Sequence, residues 1–543
     1  MNAKLPVILP VPQSSRFGTS TIAVAAFDMR ADEGFYDLLG ALREDLAEYF
    51  GESVTHPLSS REQFAFFGAN SPEETVLWGA NFREESGRIG SLALVKDAAL
   101  LPGAYRLEAA EGTISLYSFD AEGMAAAVAT LLQILLQSWD GWRWLVPDTV
   151  IEDAPALGWR GLMIDVSRHF MPIATLKRMV RLAALWKINR LHWHLSDDQG
   201  WRVALDGHPE LELKASTRGG GDPHKNGCYL KEEIREFVSF ATARGISIMP
   251  ELDLPGHVRA VLAARPDLAC GEGPFTVWEA WGIADDVLCM GKDASLAFAK
   301  EAWAELIELF PAPWVHIGGD ECPTTRWESC PRCRARKESL GLEKWEDLQG
   351  WFIRELSGFL RSRGKEVFGW DEVLDSEISQ SGGPVNVFHW RAWLPEQGAK
   401  ALEKGLKLVS SPFSPWYLDF VQSDDRTSSP GLAYRSPKAS TLERVFKYDP
   451  FAGLATAGSP EDRSAAAPDT AIPAGFLGVQ ANAWTEYIRD GKRLEYMLFP
   501  RLVALAQRGW CGQNVGSWEA FREQLASQRV IFDRLAINAA PLR

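Results

Sequence analysis

The chain has no Lys/Arg block dense enough to offset its 72 acidic side chains, and its formal net charge of −15 argues against nucleic acid or an anionic membrane as a partner. It also lacks an unbroken apolar run of about 18 residues, the length a membrane-spanning helix requires. The N-terminal stretch MNAKLPVILPVPQ carries a single lysine, three prolines within its short apolar run and no small-residue cleavage site, so it does not read as a secretory signal. No N-x-S/T acceptor occurs. The expectation is a soluble, cytoplasmic protein. Cysteine is sparse and odd in number, seven among 543 residues, which suits reduced thiols better than a disulfide framework. Cys322, Cys330 and Cys333 nevertheless cluster. With Cys289 they leave three readings open: structural thiols, a zinc site or a disulfide.

What is present describes an ordinary globular protein with a large core: 46% apolar and 24% charged residues. Twenty-two tryptophans are many, and indoles serve both as core and as platforms for the apolar faces of sugar rings. From about residue 153 a strand-then-helix rhythm repeats. Strands are predicted over 160–166, 189–195, 246–252, 314–318, 366–370, 385–390, 406–410 and 475–481. Helices are predicted over 173–187, 231–244, 294–310 and 345–363, with Gly245 and Gly364 as stops. Eight such units point to a closed parallel barrel over residues 153–543, with C-terminal helices.

Residues 1–152 read as a separate α/β domain. Strands are predicted over 21–27, 75–78, 92–95, 105–108 and 113–117, and helices over 34–50 and 123–137. The boundary is expected within IEDAPALGW, residues 151–159, and the Ala/Ser/Pro/Asp-rich segment 454–474 is expected to be a mobile surface loop.

Trp314–Glu321, WVHIGGDE, reads as a buried strand running into two glycines and two adjacent carboxylates. On a straight strand Asp320 and Glu321 would point to opposite faces, so both can address one ligand only where the strand bends. Nearly every other predicted barrel strand also ends in functional residue types: Asp165/Arg168, His194/Asp197, Glu251/His257, Trp370/Asp371, Trp390, Tyr417/Asp419 and Trp484/Glu486. In a barrel the C-terminal strand ends converge on one site.

The runs WRGLMIDVSRHF, LHWHLSDDQGWR, MPELDLPGH, HIGGDE, FGWDE and GVQANAWTE, in this order, resemble the β-N-acetylhexosaminidases of glycoside hydrolase family 20. The resemblance implies a (β/α)8 TIM barrel preceded by a small α/β domain, acting on terminal β-linked N-acetylhexosaminides and needing neither cofactor nor metal. It implies substrate-assisted retaining hydrolysis, a recognised departure from the two-carboxylate scheme. In that scheme Glu321 is the general acid and base, and Asp320 supports the substrate's acetamido group. Tyr417 holds the acetamido oxygen, and Trp370, Trp390 and Trp484 are its indole walls. Arg168, Asp419 and Glu486 bind the sugar hydroxyls, while Asp197 and His257 orient the general acid. His316 fits a structural role as well as a catalytic one. Gluco versus galacto preference, the aglycone and the oligomeric state are left open.

Two other classes compete. His192 and His194 form an H-x-H pair on one strand face, as in metal-dependent amidohydrolases, although on the second predicted strand rather than the first. A non-catalytic amino-sugar-binding protein would use the same aromatic walls without the acids.

Overall fold

A computed structural model of the chain describes residues 5–51, 88–423, 425, 431, 438–452, 454 and 472–542. The N-terminal part is a sheet of β1 (Ser14–Ala31), β2 (Arg88–Lys96), β3 (Tyr105–Ala110), β4 (Thr113–Ser118) and β5 (Trp144–Asp153), in the order β1-β2-β4-β3-β5. Strands β3 and β4 meet through a two-residue turn in which Glu111 (φ 52°) and Gly112 (φ 85°) both take positive φ, the geometry that matches strand twist. The helix Ala121–Ser138 packs on this sheet, its first turn capped by the Asp120 carboxylate, which accepts from the Gly123 amide at 2.8 Å. By composition that helix is apolar enough to cross a membrane, but 72% of it is buried inside the fold.

Strand β5 was not expected from the sequence, which placed a linker across its last residues. Pro147 interrupts the apparent strand pattern. It pairs with Thr21 beside a register shift between Phe17 and Thr21, an irregularity where proline's missing N–H costs no ladder bond. The predicted strand 75–78 lies outside the described residues, as does most of the 454–474 segment.

The remainder is a closed barrel of eight parallel strands: β6 (Trp159–Asp165), β7 (Arg190–His194), β10 (Ser247–Glu251), β11 (Trp314–His316), β12 (Glu366–Trp370), β13 (Asn386–His389), β14 (Leu408–Ser410) and β15 (Phe476–Ala483). A short hairpin of β8 (Ser196–Asp197) and β9 (Gly200–Trp201) follows β7. The last strand pairs with the first, from Gly478 against Trp159 to Ala483 against Ile164, which closes the ring. Helices cover the outside, so the strands are buried on both faces and their apolar runs do not alternate. Helices end where the sequence predicts, with Gly245 (φ 75°) and Gly364 (φ 76°) beyond the last turns.

Inside the ring, Trp159, Met249, Phe368, Phe388 and Val409 form their own apolar cluster. Trp159 meets Phe388 and Phe368 at ring-centroid separations of 5.7 and 5.9 Å. This packed plug fills the barrel below the C-terminal strand ends and gives the residues above it a rigid floor. The two parts of the chain are joined by a fully buried ion pair, Lys187 Nζ to Asp153 Oδ2 at 3.0 Å, which Tyr105 and Trp510 complete by donating to Asp153.

Candidate active site

Strand β11 stops at His316 and the chain then turns sharply. Gly318 and Gly319 take φ of 69° and 92°, and Glu321 itself sits at φ 44°. A Cβ on Gly318 would lie 1.9 Å from Asp253 Oδ1, so only glycine fits there. The same Asp253 oxygen accepts the Gly319 amide at 3.0 Å, which locks the bend. The result is the kink expected from the sequence. His257 Nε2 lies 4.0 Å from Asp320 Oδ2 and 3.7 Å from Glu321 Oε2, so the two neighbouring acids face one imidazole instead of opposite sides. His257 and Glu321 are both non-glycine residues held at positive φ, strain of a kind that concentrates at functional sites.

Behind the acids runs a buried polar chain. Arg168 Nη2 pairs with Asp197 Oδ2 at 2.8 Å, and Asp197 Oδ1 lies 3.2 Å from His257 Nδ1. Asp198 Oδ2 is 3.1 Å from the same nitrogen. Burial alone would depress the His257 imidazolium, but Asp197 and Asp198 outweigh it and hold the ring well above its usual pKa. For Asp197, burial would raise the carboxyl, but Arg168 and His257 overcome it and drive it far below the usual range. One layer deeper, Glu251 is ringed by His192 (2.9 Å), His194 (2.5 Å) and His316 (2.9 Å), and Trp370 Nε1 donates to it at 2.9 Å. The H-x-H pair is therefore turned onto a carboxylate, and His316 takes the inward structural position. Burial pushes His192 down to about 4, whereas Glu251 holds His194 well above its ordinary value against the effect of burial.

Above this lies an open cleft lined by Arg168, Asp320, Glu321, Trp390, Tyr417, Asp419, Trp484 and Glu486, together with Phe413 and Phe420. Eight of the residues singled out from the sequence thus share one cavity. The Trp390 and Tyr417 rings lie nearly parallel at 6.3 Å, and Tyr417 and Trp484 are 6.1 Å apart. Trp370 has no exposed surface; it stands behind Trp484 at 5.9 Å and backs the wall from beneath. Asp197 and His257 likewise lie under the cavity.

The rim is anchored from several directions. Asp165, at the end of β6, accepts from the Thr485 amide (3.0 Å) and hydroxyl (2.9 Å), which fixes the segment carrying Trp484 and Glu486 beside Arg168. The buried Arg501 donates to the Leu418 and Phe420 carbonyls at 2.6 and 3.2 Å and pins the loop of Tyr417 and Asp419. Trp390 Nε1 donates to Glu372 Oε2 at 2.9 Å. Burial raises Asp320, Tyr417, Asp419 and Glu486 above their ordinary values. Asp253, beside Asp320, is pushed up to about 7 by burial. Asp320 Oδ1 is buried with no backbone, amide or hydroxyl partner among the described residues.

Asp165, Glu251 and Asp371 stood out as strand-end residues, but the supporting parts of Asp165, Glu251, Asp253, Asp198 and Glu372 were not assigned from the sequence. The signal was present in ELD, where Glu251 and Asp253 alternate on one side of a strand end. Cys322 corrects another expectation. It borders a separate open groove beside Glu321, while Cys330 and Cys333 gather with Cys289 and Cys270.

The family described as "Glycosyl hydrolase family 20, catalytic domain" matches residues 157–513, and "Glycosyl hydrolase family 20, domain 2" matches residues 5–154. Among curated relatives, a beta-hexosaminidase of Porphyromonas gingivalis is 34% identical over 445 residues, 80% of this chain and 54% of that protein. The chain thus spans about half of that relative's length. One from Akkermansia muciniphila is 34% identical over 490 residues, covering 88% of this chain and 92% of that protein. Among solved structures, an exo beta-N-acetylglucosaminidase of Vibrio harveyi in complex with N-acetylglucosamine superposes with a TM-score of 0.80 at 26% identity, over 100% of this chain and 80% of that one. Fold, site geometry and sequence converge, and the chain belongs to glycosyl hydrolase family 20, a family of glycoside hydrolases.

Proposed function

We propose that the protein is an exo-acting β-N-acetylhexosaminidase that removes terminal non-reducing N-acetylglucosamine or N-acetylgalactosamine by substrate-assisted retaining hydrolysis. The observation that carries this reading is the shared approach of Asp320 and Glu321 to His257 at the mouth of an indole-lined cleft.

In this mechanism the substrate's acetamido oxygen attacks the anomeric carbon as the glycosidic bond breaks. Glu321 gives its proton to the departing oxygen. The cyclic oxazolinium intermediate is then opened by water, from which Glu321 takes a proton back, and the anomeric configuration is retained. Asp320 accepts a hydrogen bond from the acetamido N–H. A protonated Asp253 beside it can donate to the buried side of that carboxyl group and keep it in place. The Tyr417 hydroxyl, neutral because burial raises its pKa, donates to the acetamido oxygen as charge develops. Trp390 and Trp484 confine the acetamide, and holding a nucleophile in place can supply on the order of 7 kcal/mol of the barrier. Arg168, Asp419 and Glu486, charged or polar groups on one rim, suit the hydroxyls of a single terminal sugar. Glu321 also borders a neighbouring open groove of about 390 Å³, which offers room for the leaving group.

The reading is tested by turnover of 4-nitrophenyl β-glycosides of N-acetylglucosamine, N-acetylgalactosamine and glucose. Release is expected from the acetamido sugars alone, with a thiazoline mimic of the intermediate inhibiting far more tightly than N-acetylglucosamine. Equal turnover of the glucoside would remove the acetamido group from the mechanism.

A further inference from the structure

Four cysteines drawn from three separate stretches of sequence meet outside the sugar cleft. Cys289 Sγ lies 3.6 Å from Cys333 Sγ and 3.9 Å from Cys330 Sγ, and Cys270 Sγ lies 3.6 Å from Cys333 Sγ. All four sulfurs fall within 4.8 Å of one another, and none is in a disulfide. Four thiolates held tetrahedrally at about 2.3 Å from zinc stand about 3.8 Å apart, whereas a disulfide brings two sulfurs to about 2.05 Å. The observed spacing matches the first arrangement.

The backbone around the group is shaped for it. Cys330 and Cys333 form a C-x-x-C pair at the start of the helix Pro331–Ser339, whose N-terminal amides favour thiolate over thiol. Gly291, two residues after Cys289, makes backbone hydrogen bonds to Cys289 and Cys333. A Cβ at Gly291 would come within 2.3 Å of the Arg332 backbone, so the two turns approach as closely as glycine allows. Cys270 is brought in by the bridge between Ala269 and Leu288 and by the Cys289 amide, which donates to the Leu268 carbonyl at 2.8 Å. Cys289 and Cys333 are fully buried.

We propose that Cys270, Cys289, Cys330 and Cys333 form a closed, structural tetrathiolate site for one zinc ion. Binding exchanges the four thiol protons for Zn²⁺ and leaves a dianionic centre. The site lies at the far end of two excursions from the barrel. One runs from β10 through His257 to Cys270 and Cys289; the other runs from β11 through Glu321 to Cys330 and Cys333. A metal there clips the segment that carries the imidazole to the segment that carries the acid. It takes no part in the reaction, and all four of its positions are filled by protein.

The test is metal content of the full-length protein, grown with zinc in the medium and purified without chelator. About one zinc per chain is expected, released as the thiols are titrated with p-hydroxymercuribenzoate and read with a zinc-sensitive dye. The double variant Cys330→Ser/Cys333→Ser is expected to lose that zinc and to melt at lower temperature, whereas Cys228→Ser keeps it. If the double variant does not fold, the wild-type content decides. Zinc well below one per chain, iron in its place, or peptide maps containing a disulfide among these four cysteines would overturn the proposal.

Discussion

His257 joins Asp197 to Glu321, its Nδ1 3.2 Å from Asp197 Oδ1 and its Nε2 3.7 Å from Glu321 Oε2. Because the Asp197 and Asp198 charges overcome burial, the imidazolium persists above its usual range. Its contribution to stability is therefore complete below about pH 6.5, the ordinary histidine value, and is lost only as pH rises through the elevated one. Asp197→Asn removes the stronger of the two carboxylates, and burial then favours the neutral ring. We expect kcat to fall about 10²-fold and the ionisation of this ring to appear in the pH–rate profile at lower pH than in the wild type, because the charge that raises it is gone. A variant profile of unchanged shape would contradict the relay.

Glu321→Gln removes the proton donor but leaves the acetamide trap intact. The expected loss is roughly 10²- to 10⁴-fold on substrates with poor leaving groups and clearly less on aryl glycosides, which need little protonation. A series of leaving groups measured by kcat/KM checks this. A uniform loss across the series would assign Glu321 another part.

Tyr417→Phe deletes one hydroxyl from a wall of stacked rings and preserves the packing of Trp390 and Phe420 against it. Since the hydroxyl meets charge that develops during attack, kcat is expected to fall about 10²- to 10³-fold, with binding of the thiazoline weakened in parallel. A change confined to KM would show that the hydroxyl binds ground state and transition state alike.

Gly318→Ala tests the bend itself. Its Cβ would lie 1.9 Å from Asp253 Oδ1 at a φ of 69°, so a loss of more than about 2 kcal/mol is expected in denaturant unfolding. Gly358→Ala is the contrast, because nothing stands within 4 Å of its Cβ near the end of the helix Glu346–Arg361, and a gain of up to about 1 kcal/mol is expected there. Equal melting of the two variants would mean that the bend is not strictly held.

Much of this site was legible in sequence because barrel geometry repeats. A strand that is buried on both sides and ends in a polar pair, such as β11 before Asp320 or β15 before Trp484, announces both its secondary structure and the side on which its chemistry lies. What stayed hidden depended on contacts across the fold. Glu251 looks like one more strand-end acid until three histidines from β7 and β11 are seen around it. Cys270 lies 60 residues before Cys330, with no local pattern that joins them. The choice between Cys270 and Cys322 as fourth partner follows from loop paths, which spacing does not encode. Strand β5 was hidden for a different reason, since Pro147 breaks the local pattern while tertiary pairing tolerates it.

The clasp of Asp165 on Thr485 spans 320 positions of sequence and lies where the first and last staves of the barrel meet. Arg168 is contributed by one side of that seam and Trp484 and Glu486 by the other, so the sugar-recognising rim does not exist until the ring has shut. Nascent chains that have not yet delivered β15 should be blind to carbohydrate, and an occupant of the cleft should in turn act as a rivet, shielding this join from proteolytic opening in proportion to its occupancy.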